Sequence, residues 1–315
     1  MSTYPVFSPA SSLAQPITDL TRLTFWLGLG VFLIVALVLG YFMWRYRHRG
    51  ADGEPGQVFG NTTDEVSWIV AAVLLVAFLL FMTVRVAAAS SPATDTRTPD
   101  IYVVAHQWYW EFRTPDGAAS SGELHIPAGQ RVLLDLTSTD VIHDFSAPQL
   151  ARKIDVIPGQ HNRLWIEAAQ PGTFSGVCNE FCGPEHAWMR FVVIAEPLAE
   201  YRAHQAVQAA AAALPSASNA SAVRGAQVFG RVQCGACHQV RGQPSAFPHS
   251  GAVGPDLTHF ASRRILAGGV LTNTPEHLRQ WLRNTQDIKP GARMPTLPLS
   301  ESEISDLSSY LEALK

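Results

Sequence analysis

Two long uncharged runs constrain this chain first. Residues 23–44 and 66–84 contain no Asp, Glu, Lys or Arg and are almost wholly apolar. As helices they would be roughly 33 Å and 28 Å long, enough to cross the hydrocarbon layer of a bilayer. The alternative is a pair of buried core helices, for which both runs are long. Composition agrees with a membrane protein, with 47% of residues hydrophobic and only 16% charged. Between the runs lies the basic cluster Arg45-Tyr46-Arg47-His48-Arg49. The positive-inside rule puts that cluster in the cytoplasm, so the N-terminus and everything after Arg85 face outward. Trp26, Trp44 and Trp68 sit near the span ends, as interfacial aromatics do. No Lys or Arg precedes Arg22, so the basic start of a signal peptide is missing. Glu65, three residues before Trp68, reads by spacing alone as a solvated carboxylate at a helix N-terminus.

After a Ser/Pro/Thr linker over 90–97, the periodicity shifts towards two. Candidate strands are 101–105, 122–126, 131–137, 162–168, 172–177 and 189–195, several of them separated by Gly/Pro turns. This is the pattern of a β-sandwich. Gln107-Trp108-Tyr109-Trp110 is an aromatic run that by itself reads as core and surface aromatics.

All four cysteines fall in two short motifs, Cys178/Cys182 and Cys234/Cys237, so none is left for a structural disulfide framework. Cys178, Cys182, His186 and Met189 share one short loop, with His143 in an earlier loop. Thiolate, imidazole and thioether together select copper over hard cations, and a mononuclear blue-copper site needs only one Cys. With two, the thiolates could bridge two coppers, each taking one His. Met189 and the backbone carbonyl of Glu180 would be the weak outer ligands. A Cys178–Cys182 disulfide and a structural zinc site are the rivals, and neither needs Met189.

Residues 198–213 read as a helix that runs into an Ala/Ser/Pro linker. Then comes Cys234-Gly235-Ala236-Cys237-His238, the c-type haem attachment signature, in which two thiols bind the haem covalently and His238 reaches the iron. A thioredoxin-like motif is the rival, but it gives no reason for His238. Met294 in Arg293-Met294-Pro295 is the candidate sixth ligand, against His249, His259 and His277. Helices are expected over 222–231 and 301–314.

The spacing Cys-x-Glu-x-Cys-x3-His-x2-Met resembles the CuA loop of cytochrome c oxidase subunit II, and the resemblance extends from about residue 23 to 196. The haem motif makes the whole chain resemble a caa-type subunit II with a fused cytochrome c domain; Gly254-Pro255-Asp256-Leu257 and the run 281–295 look like class I cytochrome c segments. The fold this implies is a multidomain membrane protein. A two-helix transmembrane hairpin falls within 1–97, a β-sandwich cupredoxin CuA domain in 98–200, a helix and linker in 201–221, and an all-α class I cytochrome c domain in 222–315.

The resemblance implies electron flow from a soluble or membrane-bound cytochrome c to haem c, dinuclear CuA and the haem-copper centre of subunit I, where O2 is reduced and protons are pumped. It implies that Trp108 takes the electron from cytochrome c. It also implies that Glu65, in Glu65-Val66-Ser67-Trp68, stands at a proton-path entrance, and that the Glu180 carboxylate faces a Mg2+ shared with subunit I. The family usually continues with Thr and a nearby Pro after this Trp, where this chain has Ile69 and no Pro. It usually has Arg where this chain has Gln160, so no Arg contact is carried over there. Subunits I and III, a cytochrome c donor and the lipid bilayer are the partners implied, in a bacterial inner membrane crossed more than once, with both large domains in the periplasm. The net charge of −3 argues against nucleic acid. A CuA subunit of a nitric oxide reductase and a stand-alone membrane-anchored electron carrier are the alternative functions.

Overall fold

The computed structural model describes residues 7–47, 57, 59–91, 96–213, 215–242 and 254–315. His48, Arg49, His249 and residues 92–95 of the 90–97 linker lie outside these. The chain divides into two compact units, Gln15–Ser90 and the remainder.

The first unit is a pair of helices, α1 (Gln15–Arg45) and α2 (Thr62–Ser90), both long and apolar enough to cross a membrane. They are longer than the uncharged runs, because the helices continue through polar flanks where backbone bonding, not hydropathy, sets the end. Arg45 closes α1, while Asp64 and Glu65 open α2, each sign complementing the helix dipole at its end. Asn61 caps α2 by accepting from Thr63 N at 3.1 Å.

The second unit holds a sandwich and a helical cluster. The sandwich strands are β1 (Ile101–His106), β2 (Tyr109–Arg113), β3 (Ala119–Ser121), β4 (Glu123–Pro127), β5 (Val132–Ser138), β6 (His143–Ser146), β7 (Ile154–Val156), β8 (Asn162–Ile166), β9 (Gly172–Cys178) and β10 (Arg190–Glu196). They form two five-stranded sheets, ordered β3-β2-β1-β5-β8 and β4-β10-β9-β6-β7. On β1, Ile101, Val103 and Ala105 are buried and their neighbours half-buried, the period-2 signature of a strand with one covered face. Trp110, Phe145 and Phe191 join the sheets, with Trp110–Phe145 centroids 5.5 Å apart at 87°. Residues before α1 pack on this sandwich: Ala10 N donates to Gln149 O and Ala169 N to Ala10 O, both at 2.8 Å.

Four strands carry no alternating apolar signal: β2, β3, β6 and β7. The aromatic run Tyr109–Trp110 continues as β2, which hides Glu111 beside His106 and Arg113. His143 opens β6 rather than lying in a loop. The polar sequence His143–Ser146 is held as a strand by β9, where Phe145 faces Cys178.

Helix α3 (Leu198–Ala209) covers β4 and β10. It ends four residues before the expected 213, where the guanidinium of Arg241 donates to the carbonyls of Gln208 and Ala209. The last part contains α4 (Ala220–Arg231), α5 (Pro275–Arg283), α6 (Thr285–Ile288) and α7 (Glu301–Ala313). Helices dominate it, with one small addition: a two-stranded ladder of β11 (Ile265–Leu266) and β12 (Leu271–Thr272). Helices α4 and α7 cross so closely at Gly225 that a Cβ there would lie 2.0 Å from Asp306 O. The crossing is held by Arg224 on Asp306 at 2.7 Å and by the Phe229–Tyr310 ring contact. Helix α7 begins with a capping box of Ser300 and Glu303.

Candidate functional site

Strand β9 ends on Cys178, and the loop that follows returns Cys182, His186 and Met189 to the end of the sandwich before β10 begins. The sulfurs of Cys178 and Cys182 are 3.8 Å apart, nearly twice a disulfide bond length. Each faces a different imidazole: Cys178 Sγ lies 3.7 Å from His143 Nδ1, and Cys182 Sγ lies 3.6 Å from His186 Nδ1. Met189 Sδ is 3.9 Å from Cys182 Sγ, and the Glu180 carbonyl is 3.2 Å from Cys178 Sγ. His143 and Met189 are fully buried and Glu180 is exposed. Two sulfurs shared between two separate imidazoles, with one weak donor beside each sulfur, fit two soft metal ions better than one tetrahedral zinc.

Asp140 accepts from His143 Nε2 at 2.9 Å, which leaves Nδ1 facing the sulfurs. Burial works against protonating His143, but its contacts with Cys178 and Asp140 outweigh this and shift it upward. The hydrogen shared between the two sulfurs lowers the Cys178 thiol and raises that of Cys182.

In the helical part, an apolar cavity is walled by Cys234, Cys237, His238, Trp281, Leu282 and Met294. His238 Nδ1 lies 2.8 Å from Pro255 O, so Nε2 is the ring nitrogen left for a metal. A Cβ on Gly254 would come within 2.6 Å of His238 Cε1, so the ring occupies space that only glycine leaves. Two thiols and one fixed imidazole in an apolar cradle fit a covalently attached haem. Met294 is in the cavity wall, and its carbonyl is held by Thr285 Oγ1 at 3.0 Å and Gln286 Nε2 at 3.1 Å. His259 and His277 are not; they face Ala210 O at 3.0 Å and Thr272 O at 2.8 Å instead.

Trp108 joins the two sites. It lines the apolar cavity, and its indole N–H donates to Cys182 O at 3.0 Å. Gln107 Nε2 donates to the same carbonyl at 2.8 Å. Glu65 is in the first turn of α2, in the other compact unit. Gln107, Asp140, Glu185 and Lys289 are functional neighbours that the sequence did not single out. Glu185 lies inside the Cys/His loop, Gln107 opens the aromatic run and Lys289 falls within the run 281–295, so each stood next to a local signal.

A second cluster, Glu123, His125, Glu196 and His204, lies under α3. The two imidazoles stack at 3.7 Å and 15°, so their lone pairs run side by side and do not converge on one ion. Both His125 nitrogens already face carboxylates, Nδ1 on Glu196 at 3.2 Å and Nε2 on Glu123 at 3.7 Å. Burial lowers His125, but these carboxylates overcome it and raise the ring. Burial and the neighbouring His125 push His204 down to about 4.

Comparison with known proteins follows the same division. The family model of the periplasmic domain of cytochrome c oxidase subunit II matches residues 118–196, and the cytochrome c model matches 222–315. Cytochrome c oxidase subunit 2 of Alkalihalophilus pseudofirmus is 36% identical over 293 residues, spanning 90% of this chain and 83% of that protein. The protein of the same name from Bacillus sp. (strain PS3) is 32% identical over 286 residues, 85% of this chain and 79% of its own length. That from Bacillus subtilis is 31% identical over 329 residues, 98% and 90% respectively.

Proposed function

Because the chain belongs to the cytochrome c oxidase subunit II family, we propose particular residues for each step of its electron-transfer function. It is a membrane-anchored subunit II with a fused cytochrome c domain, passing electrons from a cytochrome c donor towards the haem-copper centre of subunit I. Bound CuA and haem c supply one-electron carriage.

His143, Cys178, the Glu180 carbonyl, Cys182, His186 and Met189 hold the two coppers. Asp140 keeps the His143 ring oriented. Cys234 and Cys237 would anchor the haem covalently, and His238 and Met294 would be the ligands offered to its iron. Trp108 is the bridge between the two sites, and the observation that carries this reading is its double placement, in the haem cavity wall and on the Cys182 carbonyl.

The Glu180 carboxylate, exposed at the loop tip, turns to a Mg2+ shared with subunit I, and Glu65 stands at a proton-path entrance. The domains divide at about residues 97, 200 and 221. Subunit III is a further neighbour. Both helices cross a bacterial inner membrane, with both large domains on the periplasmic side; packing of residues 10–13 on the sandwich supports an N-terminus on that side.

The test is the native complex. Purified with its partners, it should consume O2 and contain two coppers and one covalent haem in this chain. Met294→Ala should remove the Met–iron absorption and lower the haem potential, since a neutral thioether favours reduced iron. Consumption of NO in place of O2 would overturn the oxidase reading.

A further inference from the structure

The haem-bearing part is seated on the sandwich by a buried ion pair that joins the two metal-binding loops. Lys289 lies a few residues before Met294, and Glu185 immediately precedes His186. Lys289 Nζ is 3.6 Å from Glu185 Oε2, and the two side chains are only 5% and 1% exposed. The same ammonium donates to Trp108 O at 3.2 Å. Glu185 Oε2 has no hydrogen-bond partner among the described residues, so this cation is what offsets its burial.

The surroundings are shaped to admit the ammonium. A Cβ on Gly268 would lie 3.2 Å from Lys289 Nζ and 3.3 Å from Trp108 O, and its φ of +73° favours glycine in any case. The Gly268 carbonyl accepts from Arg190 N at 3.0 Å. Nearby, Ile265 N donates to the buried Glu123 carboxylate at 2.9 Å, and Arg293 reaches Gln107.

A buried ammonium and a buried carboxylate are each costly alone and tolerable only together. An interface built on such a pair therefore accepts one registry and rejects slipped ones, where either charge would be stranded. Because the two parts are on one chain, the partner is always at high effective concentration. We infer that Lys289 and Glu185 are positioning residues, a lock that holds the haem domain in one register on the copper domain and fixes Trp108 between the two sites. This rests on the functional reading above, in which haem c reduces the copper pair within the chain.

The experiment uses the assembled oxidase with copper and haem bound. Lys289→Met and Glu185→Gln are made singly and together, so that the coupling between the two residues can be read. Amide hydrogen exchange over residues 105–110 and 264–270 should speed up roughly ten-fold or more in either single variant, because local opening no longer has to break the lock. Electron transfer from photoreduced haem c to copper should slow about ten-fold or more as the geometry loosens. The double variant, which strands no charge, should be no worse in either readout than the single variants, because the two residues act as one unit. Glu185→Gln carries the test if Lys289→Met does not assemble.

Single variants that exchange and transfer like wild type would overturn the lock. So would a double variant whose losses are the sum of the two singles, since the residues would then act only as separate packing. A wild-type oxidase showing no haem-to-copper transfer would instead overturn the functional reading, and the exchange data would still report on the lock.

Discussion

Asp140 stands behind one proposed copper ligand, His143. It accepts from His143 Nε2 at 2.9 Å and also from the backbone N–H groups of Gln107 at 2.6 Å and Val141 at 2.7 Å, so its own position is fixed. An acceptor of this kind sets the tautomer and raises the basicity of the ligand ring. Asp140→Asn should therefore weaken copper binding about 10–100-fold, read by copper titration of the metal-free protein. Unchanged affinity would mean that β6 alone orients the ring. A second residue-scale effect concerns His204, whose folded pKa of about 4 lies below the ordinary 6.5. The unfolded chain then takes up a proton between those values and the native protein does not, so stability falls as pH drops from about 6.5 to 4. His125, raised by Glu123 and Glu196, opposes this, so the comparison is with His204→Phe, not with neutral pH alone. The variant should lose less stability than wild type over this window, by about 1–3 kcal/mol, in denaturant titrations at successive pH values.

At the scale of elements, the crossing of α4 and α7 is the firmest constraint on the haem-bearing part. Gly225 lets the two backbones touch, and the atoms an added methyl would meet are the carbonyl of Asp306 and Cβ of Tyr310, at 2.0 Å and 2.7 Å. Neither is the free end of a flexible side chain, so the helices themselves would have to part. Gly225→Ala should cost about 3 kcal/mol or more, lowering the melting midpoint of this part and the yield of covalent haem. A variant as stable as wild type would show that the helices separate at little cost. Strand β4 teaches the converse. Its Glu123 and His125 alternate with core residues, as solvent-facing positions would, yet both are buried because α3 and the Arg264–Ile265 segment cover that face.

For the molecule as a whole, the proposed function draws protons from one side of the membrane and electrons from the other. Glu65 sits in the first turn of α2, and if it feeds a proton path, Glu65→Gln should slow steady-state O2 consumption several-fold while leaving stopped-flow reduction of copper by the haem domain unchanged. Equal turnover across pH would leave it a helix-end carboxylate. The two long apolar helices, the Cys178–Met189 loop and the Cys234–His238 motif were legible in the sequence because each is local: hydropathy over a single helix, or donors spaced along a single loop, is already written in a short stretch of chain. The sandwich was legible only through strands with alternating apolar residues; β2 and β6 were hidden because Glu111 and His143–Ser146 are buried through polar partners. Their pairing energy comes from neighbours distant in sequence. Chain order likewise says nothing about Lys289 meeting Glu185, Arg241 ending α3, or Trp108 standing between the two sites. Those are long-range contacts, and only packing of the domains against one another could select them, because a buried charge or an unsatisfied carbonyl acquires its partner when the tertiary structure closes around it.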